Sequence, residues 1–324
     1  MPPQVSVIIT SYNYARFIGE TIQSVLDQTY LDVEVIVVDD GSTDNTPEVL
    51  ARFGDRITCI YQRNQGKSGA LNRGIDAARG RYLAFVDSDD AWLPDALERR
   101  LAVFESDPGV GVVYGRTLVM DESGTLLPYM NGAPPRYPDD TLRSLLHGVF
   151  IPFLTFMARR TCLDQAGTYF NPDFGATNDW ELYLRLSRAC RFHFVDQPLA
   201  RYRVHGSNWS GNSGVMAKQM ARVVFQALNA PDLPPEIEAS KHSILRNMYT
   251  NIGLGFVGPG PRRVALHYFA RAIRVSHHPM WAVLRIPYLI IAGYGSHNPV
   301  GARLIAGIAS LKEQLNYALA ERTR

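Results

Sequence analysis

The chain of 324 residues is poor in cysteine. It has only Cys59, Cys162 and Cys190, and no two of them form a C-x-x-C pair. That excludes a zinc ribbon and a dense disulfide framework, and a sparse, odd set is expected of free thiols in a reducing cytoplasm. It also lacks an excess of charge: 33 Lys and Arg against 31 Asp and Glu leave +2. Nothing in that balance calls for nucleic acid as a partner. No uncharged apolar run reaches membrane-spanning length, and the nearest, residues 280–294, is interrupted by Arg285 and Pro287. Residues 1–4 carry neither a basic nor an apolar leader segment, so no signal peptide is expected. Internal repeats and low-complexity tracts are absent. What remains is ordinary globular composition, 46% hydrophobic and 20% charged, in a chain long enough for one large domain and a smaller one.

The first third alternates strand and helix patterns. Residues 5–9 are a β-branched run, and 16–26 place Phe17, Ile18, Ile22, Val25 and Leu26 at helical spacing. Residues 33–38 are nearly unbroken Val and Ile, as a strand buried on both faces requires. Thr46-Pro47 opens a helix through 53; strands at 57–61 and 82–86 and helices at 68–78 and 94–105 follow. Such alternation predicts an α/β fold with a doubly wound, mostly parallel sheet flanked by helices. Ligands of these sheets sit beyond the carboxyl ends of the strands. Three polar clusters fall at those ends, at 10–13, 39–43 and 87–90.

The middle third changes character. Strands are expected at 110–114, 118–120 and 192–195, helices at 141–147 and 179–188, and a polar, mobile loop at 201–213. From about residue 215 the pattern is all helical, at 215–228, 236–254, 262–275 and 300–319. The expected division is therefore a domain at 1–214 and a helical C-terminal region at 215–324.

The chemistry concentrates in Asp87-Ser88-Asp89-Asp90, which follows directly on an apolar strand. Three carboxylates in four positions repel unless something positive sits among them. A hard divalent cation with open positions for phosphates is the simplest partner. Asp87 and Asp89 are expected as a D-x-D metal and ribose site, with Asp89 the direct ligand; the alternative is a helix entry, with Asp90 capping the helix opened at Pro94, which accounts for one carboxylate and not for three. Asp39, after the 33–38 strand, could accept the imino N–H of uracil, thymine or guanine; the same Asp-Gly-Ser is ordinary turn chemistry. Tyr12 offers a face for stacking a base, or a packed loop residue, and Thr10 offers polar groups beside it. Lys67 precedes a helix, where it either approaches a diphosphate or is a solvated loop lysine; the full phosphate-loop spacing is missing. Asp179, in Asn178-Asp179-Trp180-Glu181, is the candidate general base or an N-cap. His205 could complete a metal shell or touch the diphosphate, and Arg203 could offset phosphate charge.

Taken in order, these motifs resemble the family 2 inverting glycosyltransferases of the GT-A fold. The resemblance runs over roughly the first two thirds of the chain, through Thr10-Ser11-Tyr12-Asn13, Asp39-Asp40-Gly41-Ser42, Asp87–Asp90 with Trp92-Leu93-Pro94, Asn178-Asp179 and Tyr202-Arg203-Val204-His205. It implies a nucleotide-sugar donor and Mn²⁺ or Mg²⁺. It also implies Asp39 on the base, Asp87 near the ribose, Asp89 on the metal and Asp179 as base. Two positions depart from the family: Asn178 stands where many members have Glu, and Leu71 where many have Arg.

The expected reaction is one in-line displacement with inversion at the anomeric carbon of a hexosyl donor, to a glycan or lipid-linked acceptor. A nucleotidyltransferase that makes nucleotide sugars is the competing enzyme class. It calls for a Gly-rich basic loop after the first strand, and residues 10–15 contain no Gly, Lys or Arg. A non-catalytic nucleotide-sugar-binding scaffold has no need of Asp89 and Asp179 together. Trp281, Leu284, Ile286, Tyr288, Ile290 and Ile291, near Arg274, Arg285 and Arg303, are expected either as a peripheral membrane patch or as a layer packed on the catalytic domain or a second subunit.

Overall fold

β1 (Val5–Ser11) is buried along its whole length, which puts it in the middle of a sheet with apolar layers on both sides. It pairs in parallel with β2 (Val33–Asp39) on one flank and β4 (Tyr82–Asp87) on the other; β2 pairs in parallel with β3 (Thr58–Tyr61). The crossovers carry α1 (Ile18–Leu26), α2 (Thr46–Ala51) and α3 (Gly66–Ala77). Ile18, Ile22 and Val25 of α1 join Val5, Val7 and Ile9 of β1 in one buried cluster. Each such side chain contributes about 1.5–3 kcal/mol. On the other face Gly74 of α3 lies against Ile8 and Val38. The register sets Ser11 level with Asp39 and Thr10 level with Asp87. Polar residues therefore leave neighbouring strands at one edge. This computed structural model describes residues 2–208, 213–231, 233–255 and 262–276.

Beyond β4 the chain forms β5 (Ala91–Trp92), α4 (Ala96–Ser106), β6 (Val110–Met120), β7 (Leu126–Asn131), α5 (Thr141–Leu146), β8 (Met157–Arg159), α6 (Arg160–Gln165), α7 (Asn178–Ala189) and β9 (Arg191–Arg203). The sheet order is β3-β2-β1-β4-β8-β6-β9-β5, with β7 on β6. The expected strands at 110–114 and 118–120 are one strand, since Gly115–Thr117 continues the pairing with β9. β9 is likewise far longer than the expected 192–195. Pro198 is taken up at an irregularity in the β6 pairing, where its missing N–H does no harm. Arg201–Arg203 therefore belongs to a strand and not to the loop expected at 201–213. β8 pairs antiparallel with both β4 and β6; at three residues it is too short to show a periodicity.

The cysteine expectation is overturned. Cys162 of α6 and Cys190, just after α7, form a disulfide, and Cys59 is the free thiol among the described residues. Spacing could not show this, because the two half-cystines are 28 residues apart and meet only through the packing of α6 on α7.

The chain divides into two compact units, residues 1–211 and 212–324. In the second, α8 (Ser213–Leu228), α9 (Pro235–Gly255) and α10 (Arg262–Arg274) bury Val224, Leu228, Ile244, Ile252, Phe269 and Ala272. No described helix is long and apolar enough to cross a membrane. The helix expected at 300–319 and the apolar patch expected over 281–291 lie outside the described residues.

Candidate active site

Each carboxylate of the Asp87–Asp90 turn has a different partner. Asp87 meets the Lys67 ammonium at 2.6 Å. Lys67 lies in the first turn of α3, 4.4 Å above the Phe153 ring. Desolvation works against its charge, but Asp87, followed by Asp179 and Asp89, more than offsets that and raises its pKa. Asp89 Oδ2 lies 3.0 Å from His205 Nε2. Asp90 accepts the backbone N–H of Arg203 at 2.9 Å, and its carbonyl accepts the Thr21 hydroxyl at 2.7 Å. It is no helix cap, since α4 opens after Asp95. Burial first, then Asp87, raises the Asp89 pKa; burial first, then Asp89 and Asp87, raises that of Asp90. The turn thus holds more negative charge than Lys67 offsets.

The His205 side chain is 2% exposed. Its ring rests on Phe17 (5.0 Å between centroids) and Tyr14 (5.9 Å). Nδ1 accepts the Ser207 N–H at 3.2 Å, so the neutral ring carries its proton on Nε2, directed at Asp89. Burial, then Asp89 and Asp87, pushes the Tyr14 hydroxyl up to about 12. A carboxylate facing an imidazole in an electronegative turn fits a divalent cation of the Mn²⁺ or Mg²⁺ type, with His205 able to ligate through Nε2 once its proton shifts to Nδ1 and the Ser207 N–H contact gives way. No group of three His, Cys, Asp or Glu side chains that could hold a metal ion occurs among the described residues. Oxygens of a bound diphosphate would have to complete such a shell.

Arg203 faces inward. Its side chain is 3% exposed, lies over Phe17 and donates to the Asp89 and Glu122 carbonyls at 2.9 and 3.3 Å and to the Glu20 carboxylate. Its guanidinium is engaged inside the protein, against the diphosphate contact expected for it, which the Arg203 contacts here neither use nor require. It ties α1, the acidic turn and the β6–β7 connection to the end of β9.

Along the same strand edge, Asp39 accepts the Ser42 N–H at 3.0 Å. Asp40 accepts from Gln62 Nε2 at 2.7 Å and from the Gln65 N–H at 2.8 Å, which draws the segment before α3 onto the end of β2. Gly41 makes that turn with φ +81°, and a β-carbon on it would stand 3.1 Å from Asn64 N and 3.2 Å from Gln62 O. Asn13 Oδ1 accepts the Thr43 N–H at 2.7 Å, closing the β1 and β2 loops together. Thr10 is buried and Tyr12 is 46% exposed beside them. Tyr61, 56% exposed and level with Asp39, was missed in the sequence, although it ends the strand expected at 57–61. Asp39 and Asp87 leave strands separated only by β1, hence about 10 Å apart at normal strand spacing.

Asp179 stands in the first turn of α7. Gly175, with φ 45° and ψ −112°, breaks the preceding 3₁₀ turn and sets the start of that helix. Asp179 Oδ1 accepts the Trp180 N–H at 2.7 Å. Burial raises its pKa, with Lys67 acting against burial and Asp87 with it. Trp180 is a core residue, its indole N–H bonded to the Leu145 carbonyl at 3.0 Å. Asn178 Nδ2 donates to Ser68 Oγ at 2.7 Å, and one turn on Asn72 exchanges two 2.9 Å bonds with the Phe170 backbone. Neither Ser68 nor Asn72 gave a local signal of this role. Asp87, Asp89, Asp179, Lys67 and His205 thus share one neighbourhood, while Asp39 and Tyr12 lie further along its edge.

Residues 6–166 match the model of glycosyl transferase family 2. An uncharacterized glycosyltransferase of Nostoc sp. is 33% identical over 213 residues, which cover 63% of this chain and 66% of that protein. The chain thus spans slightly less than two thirds of that relative. A putative teichuronic acid biosynthesis glycosyltransferase, TuaG of Bacillus subtilis, is 34% identical over 67% of this chain and 85% of its own length. S. aureus TarS (residues 1–349) in complex with UDP-GlcNAc superposes with a TM-score of 0.63 at 20% identity, covering 89% of this chain and 83% of that one. A Pyrobaculum calidifontis mannosyltransferase in complex with GDP-Man and Mn²⁺ gives 0.60 at 20%, covering 95% and 85%. At these identities the structural likeness is one of fold, a GT-A type sheet flanked by helices.

Proposed function

The chain belongs to glycosyl transferase family 2, and from that premise we propose that it moves a hexosyl group, with inversion, from a nucleotide-diphosphate donor to a glycan or lipid-linked glycan hydroxyl. The catalytic domain is the first unit, expected at 1–214. One observation carries this reading. The Lys67 ammonium bonds Asp87 at 2.6 Å and takes its next two charges from Asp179 and Asp89, so α3, β4 and α7 converge on one point.

Asp39 accepts the imino N–H of a uridine-, thymidine- or guanosine-type base, with Tyr12 against its face and Thr10 beneath. Asp87 takes the ribose, and Lys67 faces the diphosphate across it. Asp89 and His205 hold a divalent cation, Mn²⁺ or Mg²⁺, which when bound stabilises charge on the departing diphosphate as a Lewis acid. The acceptor oxygen forms a bond to the anomeric carbon as the bond to the diphosphate oxygen breaks. Its proton passes to the Asp179 carboxylate, and the electron pair of the broken bond leaves with the diphosphate. Burial strengthens Asp179 as a base, and the first turn of α7 fixes its direction. The Mn²⁺-bound neighbour of the same fold and the family membership support this arrangement.

The cytoplasmic setting expected from the sparse cysteines stands against the Cys162–Cys190 disulfide; peripheral membrane contact is proposed where the acceptor is lipid-linked, and flotation of the full chain with anionic liposomes tests it. The reaction itself is tested by a panel of UDP-, dTDP- and GDP-sugars with Mn²⁺, scored by nucleoside diphosphate release. Release from at least one donor is expected, and silence across the panel would overturn the proposal.

A further inference from the structure

Tyr183 is among the largest completely buried side chains, and its hydroxyl has no hydrogen-bond partner among the described residues. The ring lies 4.9 Å from Phe156, which itself stacks on Phe85 at 5.6 Å. Phenylalanine would fill that aromatic cluster equally well without the cost of dehydrating a hydroxyl. A buried orphan of this kind therefore needs an explanation outside packing.

Its place on α7 supplies one. Tyr183 is four residues after Asp179, so the two lie on the same helix face, one turn apart. Long side chains on a helix lean toward its N-terminus, which carries the Tyr183 ring up toward Asp179. Burial first, then Asp179 and Asp87, raises the pKa of its hydroxyl and keeps the phenol protonated. It is thus a donor. In the structure Asp179 Oδ1 is engaged by the Trp180 N–H. Catalytic hydrogen bonds often close only when the substrate complex forms.

We propose that Tyr183 is a positioning residue for the catalytic base: its hydroxyl donates to the Asp179 carboxylate in the acceptor complex and fixes which oxygen faces the incoming hydroxyl. This rests on the assignment of Asp179 as base. The hydroxyl is held without a partner in the free protein so that it is in place for that moment.

Tyr183→Phe tests this, through donor turnover measured as nucleoside diphosphate release and through thermal melting. Removing the hydroxyl should lower kcat roughly tenfold to a hundredfold, the scale of a misaimed reacting group, and leave the donor KM unchanged. The melting temperature should stay the same or rise, since an unpartnered buried group is removed. A kcat within about twofold of the parent would overturn the inference. So would a lower melting temperature, which would show the hydroxyl already bonded within the fold. Asp179→Asn, assayed alongside, separates the two ideas. Undiminished release in Asp179→Asn removes the base assignment itself; an inactive Asp179→Asn beside a fully active Tyr183→Phe removes only the role of Tyr183.

Discussion

Ser68 and Asn178 meet in a buried hydrogen bond of 2.7 Å across 110 residues of chain. The amide donates and the hydroxyl accepts, so the N-terminus of α3 is fastened to the N-terminus of α7. A glutamate at 178 could only accept from Ser68, whose hydroxyl donates to the Asn171 carbonyl at 3.4 Å, and would set another negative charge beside Asp179 and Asp87. Asn178 is thus suited to this particular α3. Ser68→Ala should leave a dehydrated amide and cost about 1–3 kcal/mol. Chemical denaturation reads the loss directly, and a lower kcat at unchanged donor affinity would accompany it.

The pH dependence of turnover should expose Asp179. A base acts deprotonated, so activity falls as pH drops through its pKa. Burial raises that pKa, which places the acid limb above the position of an ordinary aspartate. Lys67 works in the opposite direction, so Lys67→Met should move the limb to still higher pH. An unmoved limb would disconnect the ammonium from the base. Asp179→Asn should keep binding of the nucleoside diphosphate identified by the donor panel in calorimetry and lose roughly 10²–10⁴-fold in transfer.

A chelator should stop diphosphate release, and Mn²⁺ should restore it. Asp89→Ala and His205→Ala should each weaken Mn²⁺-dependent binding of the nucleoside diphosphate identified by the donor panel by at least roughly 10–100-fold, the loss produced by removing even an outer partner of a metal ligand. Unchanged calorimetric affinity in both variants would remove the cation from this pair.

Arg203→Met discriminates a structural tie from a phosphate contact. As a tie, it should cost about 2–3 kcal/mol. This is below the roughly 3–5 kcal/mol of a fully buried pair, because the Glu20 side chain is 50% exposed and can rehydrate. Full stability with weakened binding of that nucleoside diphosphate would return Arg203 to the diphosphate.

The sequence was most legible where one physical constraint dominates. Val33–Asp39 reads as a strand because its residues are apolar on both faces, and the polar ends of β1, β2 and β4 point to a common edge because parallel strands finish together. Legibility failed where distance or shortness intervened. Met157–Arg159 is a strand only by pairing with Tyr82–Ala84 on one side and Val112–Val113 on the other. Pro198 looks like a break, yet β6 absorbs it. The Cys162–Cys190 bond and the Ser68–Asn178 contact exist only after helices pack. The burial of Arg203 was not legible, because an exposed-looking tetrapeptide hides a side chain that three separate segments enclose.

β9 runs beside β6 from Arg191 to Arg203 and reaches His205 two residues later. A single strand thus completes the wall and delivers the imidazole. The setting of that imidazole is therefore decided within 204–208, where Ser207 and Asn208 bond His205, while the β6–β9 pairing beneath it is complete by Arg203.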